Sequence, residues 1–199
     1  MSAQPLTYTG GPLATHAYLL PVADGGGDYL CIDAPEGVAA EICAAGLRVR
    51  ALLLTHAHKD HTADAARIAN DHGCPVYLHA AETAQLWASE PALSVVELVV
   101  EPEGGSAVEI GGRRFNLAHI PGHSPGSVTF YEPQAARIFS GDVLFAEGIG
   151  RTKTPEAREE LIAGIVRELL PLPDATEVYP GHGASLVWGA HKARFLVCA

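Results

Sequence analysis

Thr55-His56-Ala57-His58-Lys59-Asp60-His61 places four metal-ligand side chains within six positions. The run before it, Val49-Arg50-Ala51-Leu52-Leu53-Leu54, is apolar enough for a buried strand, and the Ala-rich stretch after it reads as a helix. The cluster therefore falls where a strand ends and a helix begins, the junction that α/β folds use for chemistry. His56 and His58 are two apart, so on a continuing strand both imidazoles point to one side. Asp60 and His61 follow on the turn and do not readily share one tetrahedral ion with the first pair. Two adjacent metal positions are expected.

The rest of the chain supplies three more ligands in similar settings. His123 lies in Pro121-Gly122-His123-Ser124-Pro125-Gly126, Asp142 in Phe139-Ser140-Gly141-Asp142, and His182 in Tyr179-Pro180-Gly181-His182-Gly183. Each follows a β-prone segment and each is flanked by Gly, which permits close approach of backbone to an ion. Four strand ends thus deliver seven candidates: His56, His58, Asp60, His61, His123, Asp142 and His182. That count suits two metals sharing a bridging carboxylate.

The His-x-His-x-Asp-His motif, followed in order by His123, Asp142 and His182, resembles the metallo-β-lactamase superfamily. Gly122-His123-Ser124-Pro125-Gly126, Ser140-Gly141-Asp142 and Gly148-Ile149-Gly150-Arg151 resemble its hydroxyacylglutathione hydrolase (glyoxalase II) branch. The resemblance runs from about Pro12 to His182. It implies an α/β fold, a four-layer αββα sandwich; periodicity alone says only mixed α and β with helices outside. It puts His56, His58 and His123 on one divalent ion, and Asp60, His61 and His182 on the other, with Asp142 bridging. The donors are imidazole and carboxylate, which suit zinc first, and also iron or manganese.

The family chemistry is attack on an electrophilic carbonyl by a metal-bound hydroxide, with Asp60 and Asp142 as the catalytic carboxylates. Paired ions make such a nucleophile available at neutral pH. With such a nucleophile no protein nucleophile is needed. In the glyoxalase II branch a basic residue nine positions after the bridging Asp binds glutathione. Arg151 holds that position here, and Lys153 stands where an aromatic is usual. The helical domain that completes the glutathione site in that branch is expected to be missing, because the chain ends at Ala199. The expectation is therefore a compact thioesterase of the hydroxyacylglutathione hydrolase type. Alternatives are a persulfide dioxygenase with one iron on His56 or His58, His123 and Asp142, and a lactonase or β-lactamase-type hydrolase.

Composition is consistent with one domain over residues 1–199: hydrophobic content is 48% and mean hydropathy +0.13, enough for a sizeable core. A formal net charge of -10 argues against nucleic acid or an anionic membrane as partner; the resemblance implies a small-molecule substrate. No signal peptide or apolar run of ~20 residues is evident, so a cytoplasmic protein is expected. Cys31, Cys43, Cys74 and Cys198 show no Cys-x-x-Cys spacing and read as reduced, mostly buried thiols. Oligomeric state is not legible.

Along the chain, 6–9, 14–20 and 29–33 predict a three-strand meander, with turns around Gly10-Gly11-Pro12 and at 24–28. From the resemblance, Asp33 is expected to bond loop amides near the site, and His16 to be a core or supporting histidine rather than a ligand. Helices are expected at 37–45, 62–71 and 80–89, with Trp87 on the last as packing. Strands are expected at 49–55, 74–78 and 94–100. A turn at 102–105 leads to a hairpin of 108–110 and 113–119 across Gly111-Gly112. Strands 127–131 and 137–140, a loop, one long helix 155–170, a strand 177–179 and a terminal helix 184–195 complete the expected order. Pro155 starts the long helix and Pro171 follows its end.

Overall fold

A computed structural model describes residues 4–23, 27–100 and 106–196. The expected turn at 24–28 lies partly, and that at 102–105 wholly, outside the described residues; so does Cys198. The chain opens with β1 (Leu6–Gly10), β2 (Thr15–Pro21), β3 (Asp28–Ile32), α1 (Val38–Ala44), β4 (Arg48–Leu53), α2 (Lys59–Thr62), α3 (Ala65–His72) and β5 (Val76–His79). A 3-10 turn (Ala80–Glu82) leads into α4 (Thr83–Ser89) and β6 (Val95–Leu98). The second half runs β7 (Ser106–Ile110), β8 (Arg113–His119), β9 (Val128–Glu132), β10 (Arg137–Gly141), β11 (Leu144–Phe145), β12 (Gly148–Ile149) and α5 (Pro155–Gly164). It closes with β13 (Glu177–Pro180), β14 (Leu186–Val187) and α6 (Ala193–Leu196).

Two six-stranded sheets result, ordered β1-β2-β3-β4-β5-β6 and β14-β13-β10-β9-β8-β7. The predicted meander is β1-β2-β3, antiparallel throughout; from β3 to β6 the pairing is parallel. Alternation along each central strand sorts side chains into layers. On β2, Ala17 and Leu19 face the helices α1, α3 and α4, where Ile42, Ile68 and Leu86 are buried. Tyr18 and Leu20 face the other way, into a core between the sheets shared with Leu53, Phe115, Phe130 and Phe139. On the second sheet, Ile138 and Val178 face outward beneath α5. Three cores separate four layers, so the αββα sandwich stands.

The apolar face expected on the long helix is Leu161, Ile165 and Leu169, all buried. Each contributes about 1.5–3 kcal/mol of burial. Thr154 caps α5 by accepting the N–H of Ala157. The helix does not stay α to its end: residues 165–169 form a wider π turn, with Leu170 N–H bonded to Ile165 O. The helix expected at 62–71 is two, because the chain breaks at Ala63-Asp64, where Asp64 accepts the N–H groups of Gly37 and Ala39.

Of the terminal helix expected at 184–195 only the end forms, as α6, after a 3-10 turn at Trp188–Ala190. Leu186 and Val187 instead pair with Val178 and Glu177. Trp188 is buried in the outer core and donates its indole N–H to Leu169 O at 2.7 Å. A bulky β-prone triplet gains more from this edge than from a helix interrupted by Gly189. Cys31 and Cys74 are buried thiols, while Cys43 is exposed. Trp87 is partly exposed and bonds Leu93 O. No helix among the described residues is long and apolar enough to cross a membrane.

Candidate metal centre

All seven sequence-derived candidates converge at one edge of the sandwich. The chain leaves β4, bends at Thr55 and reaches His58, the extended residue before α2, with φ -66° and ψ 144°. Asp60 and His61 then fall in the first turn of α2. His123 comes from the loop between β8 and β9, Asp142 from the end of β10, and His182 from the end of β13. Two glycines make the convergence sterically feasible. Gly141 has φ 49° and lies against Thr55, so a Cβ there would meet Thr55 Oγ1 at 2.5 Å. A Cβ on Gly181 would lie 2.4 Å from Asp142 Oδ1 and 2.6 Å from His61 Cε1.

The ligand atoms form two groups with Asp142 between them. In the first, His58 Nδ1 lies 3.0 Å from His56 Nε2 and 2.8 Å from His123 Nε2. In the second, Asp60 Oδ2 lies 3.5 Å from His61 Nε2 and 3.3 Å from His182 Nε2. Asp142 turns Oδ2 to His123 Nε2 at 3.4 Å and Oδ1 to His61 Nε2 and His182 Nε2 at 3.2 and 3.5 Å. His56, His61 and Asp142 also fall within ligand reach of one another.

The outer hydrogen bonds show what these groups are built to hold. His61 Nδ1 is 2.7 Å from Asp33 Oδ2, His123 Nδ1 is 2.8 Å from Arg151 O, and His182 Nδ1 is 3.1 Å from Leu13 O. His56 Nδ1 is 3.1 Å from Thr55 Oγ1, whose own proton goes to Asp33 Oδ2. A carbonyl or carboxylate only accepts, so each ring donates outward and turns a lone pair inward. There the lone pairs meet each other and carboxylate oxygens. His61 Nε2 and Asp142 Oδ1 are buried and make no hydrogen bond. Converging acceptors without donors repel unless a cation lies among them. The His/Asp cluster therefore fits a divalent metal ion, and imidazole rings steadied by outer partners are the usual ligand design.

Without metal, protons occupy part of this role. Burial pulls the His61 imidazolium down, but Asp33 and Asp142 outweigh it and hold its pKa up to about 10. Asp142 and Asp60, beside its Nε2, raise His182 to about 9. Burial raises the Asp60 carboxyl, yet His182, His61 and Thr15 overcome this and lower it to about 2. Asp142 is held well below the carboxylate range against burial, by His182 and His61. The first group behaves oppositely. Burial, then His61, lowers His56, and burial, then His123, lowers His58.

The support extends beyond the ligands. Asp33 accepts Thr55 N–H and Oγ–H, both at 2.8 Å, and so ties the loop as the sequence suggested. His16 is a supporting residue: its Nε2 bonds Gly183 O at 2.8 Å and its backbone N–H bonds Gly181 O, holding the loop of His182 from both sides. Thr15 Oγ1 donates to Asp60 Oδ2 at 2.9 Å, a contact with no local signal in the sequence. Both ligand groups open onto a cleft of about 740 Å³. Phe145 and Ile149, on the unexpected β11-β12 hairpin, line it with Leu13 and Arg151. Lys153 is exposed and is not among the cleft-lining residues.

Residues 10–182 match the metallo-beta-lactamase superfamily. The chain is 36% identical to a probable metallo-hydrolase of Bacillus subtilis, YqgX, over 87% of each chain. It is 33% identical to the hydroxyacylglutathione hydrolase GloC of Haemophilus influenzae, over 73% of this chain and 74% of that one. Among solved structures, BLEG-1 B3 metallo-beta-lactamase superposes with a TM-score of 0.82 at 32% identity, covering 96% of this chain and 99% of that one. TTHA1623 in a di-iron-bound form gives 0.72 at 37% identity, covering 94% and 98%. With a family match across most of its length and the ligand groups in place, the chain belongs to the metallo-beta-lactamase superfamily.

Proposed function

We propose that the chain is a binuclear metallohydrolase that cleaves thioesters of the hydroxyacylglutathione type. The observation that carries this reading is the division of one carboxylate, Asp142, between two complete ligand groups. His56, His58 and His123 would hold one ion, and Asp60, His61 and His182 the other. Zinc is the first choice; the di-iron relative supports iron as well. Two bound ions supply Lewis acidity toward a carbonyl oxygen and lower the pKa of a bound water.

The protein's own side chains do the rest. Asp60 lines the cleft as an ionised carboxylate steadied by Thr15, an acceptor that would orient a water entering the site. Leu13, Phe145 and Ile149 form an apolar wall for an acyl chain. Arg151 lies at the cleft with a guanidinium suited to a carboxylate of the thiol portion. Because Lys153 is not part of that wall, the proposal rests anion recognition on Arg151. Similarity to the hydroxyacylglutathione hydrolase supports this substrate class. Similarity to the B3 metallo-beta-lactamase supports a second reading, opening of a β-lactam ring at the same centre.

A hydrolysis screen of thioesters, lactones and β-lactams on zinc-, iron- and manganese-loaded protein tests this. S-lactoylglutathione is expected to turn over fastest. Faster turnover of a β-lactam would favour the second reading. Oxygen uptake with a persulfide on iron-loaded protein, without thioester cleavage, would favour an oxidoreductase instead.

A further inference from the structure

A buried carboxylate outside the ligand set links the loops that carry His56, His58 and His123. Glu82 ends the 3-10 turn before α4 and is 1% exposed. Its Oε2 accepts the backbone N–H of Ala57 at 2.8 Å, and its Oε1 accepts that of Gly126 at 2.6 Å. Ala57 stands between His56 and His58, and Gly126 follows His123 in the same loop. One turn along α4, Gln85 Nε2 donates to Ala57 O at 2.9 Å. The peptide groups on both sides of Ala57 are thus held by side chains from one short segment. Space at Gly126 is reserved for this contact: a Cβ there would lie 2.6 Å from Glu82 Cγ.

The arrangement answers a geometric problem. His56 and His58 rise from the first sheet, and His123 from the second. Their inner nitrogens must meet around one point, and the hydrophobic effect that joins the sheets is non-directional and does not by itself place two loops to that precision. A carboxylate taking one N–H from each loop fixes it directly, through charge-assisted bonds about twice as strong as neutral ones. Val128 N–H also reaches Thr55 O at 3.0 Å, so the loops stay adjacent when Glu82 is altered. What Glu82 adds is alignment.

We propose that Glu82, assisted by Gln85, is a positioning residue for the His56–His58–His123 group. It sets the mutual alignment of those rings, and so the affinity of the ion they hold, without touching ion or substrate. This rests on the metal-centre reading above and not on thioester chemistry.

The test is zinc titration of metal-free wild-type and Glu82→Gln protein against a competing chelator. Histidine-ring nitrogen resonances report which group fills. Glutamine keeps the size but turns an NH₂ toward one of the two backbone N–H groups. Loss of a supporting partner typically weakens metal binding ~10–100-fold. That loss is expected at His56, His58 and His123, with His61 and His182 filling as in wild type. Gln85→Ala is expected to weaken the same group by less. An equal loss at both groups, or none at the first, overturns the proposal. If Glu82→Gln does not fold, Gln85→Ala decides: unchanged zinc affinity at the first group overturns it. Activity is not part of this readout, so failure of the thioesterase reading and failure of the positioning role are distinguishable.

Discussion

Asp33, in a left-handed backbone conformation with φ 58°, sets Oδ2 2.7 Å from His61 Nδ1. This one contact fixes the tautomer of a fully buried ring and aims its Nε2 at Asp142. Asp33→Ala would leave the His61 and Thr55 N–H groups buried without a partner, at about 1–3 kcal/mol each. Chemical denaturation is expected to show that loss, and metal analysis reduced occupancy of the second group. Unchanged stability with full occupancy would mean that His61 is oriented by its other neighbours.

Asp142→Ala should be the most damaging single substitution in the centre. It removes the carboxylate that faces both groups and leaves two cations opposite one another. Metal occupancy and turnover are expected to fall together, by more than the ~10–100-fold typical of supporting partners. Elemental analysis with steady-state kinetics checks this. Full occupancy with near wild-type turnover would remove Asp142 from the bridging position.

The two groups should differ in their response to pH. In the metal-free protein, His61 and His182 keep their protons until about 10 and about 9. Their ion pairs with the carboxylates stabilise the fold fully below the unfolded value of 6.5, and that contribution fades as pH rises through 9 to 10. Asp60 behaves conversely: its contribution is present above 3.8 and is lost as pH falls through about 2. Near pH 7.5, zinc uptake by the second group must therefore displace about two protons, whereas His56 and His58 are already neutral. Titration in weakly buffered solution should show proton release mainly with the second ion, whose affinity weakens more steeply on acidification. Equal proton release for both ions would contradict this.

Arg151 carries the substrate proposal. Its carbonyl holds His123, and the residue is exposed and lines the cleft. Losing a charged hydrogen-bonding contact costs ~1.5–3 kcal/mol, about tenfold or more in affinity. Arg151→Ala is expected to raise KM for S-lactoylglutathione by that factor and to spare an uncharged thioester of the same acyl group. Equal effects on both would assign Arg151 to loop shape.

The parts of this molecule that were legible in its sequence are those built locally. His56 to His61 lie in one short segment at a strand-to-helix junction, and the strands announce themselves because the first sheet buries two faces: Leu52 and Leu53 serve different cores. Asp33 and His16 were readable as supporting residues only through the family resemblance, from the positions they occupy in it. Contacts set by tertiary packing were not legible. Thr15 meets Asp60 across 45 residues, and Glu82 meets Gly126 across 44. The β11-β12 ladder has two residues per strand, too few for a periodic signal. The terminal segment reads as helical until the free edge of β13 and the pocket for Trp188 are present.

The central claim is that two ions share Asp142, and anomalous diffraction from metal-loaded crystals tests it most directly. Two peaks about 3.5–4 Å apart are expected, one among His56, His58 and His123, the other among Asp60, His61 and His182, with the Asp142 carboxylate between them. A single peak in fully loaded protein, with Asp60 and His182 unligated, would contradict it.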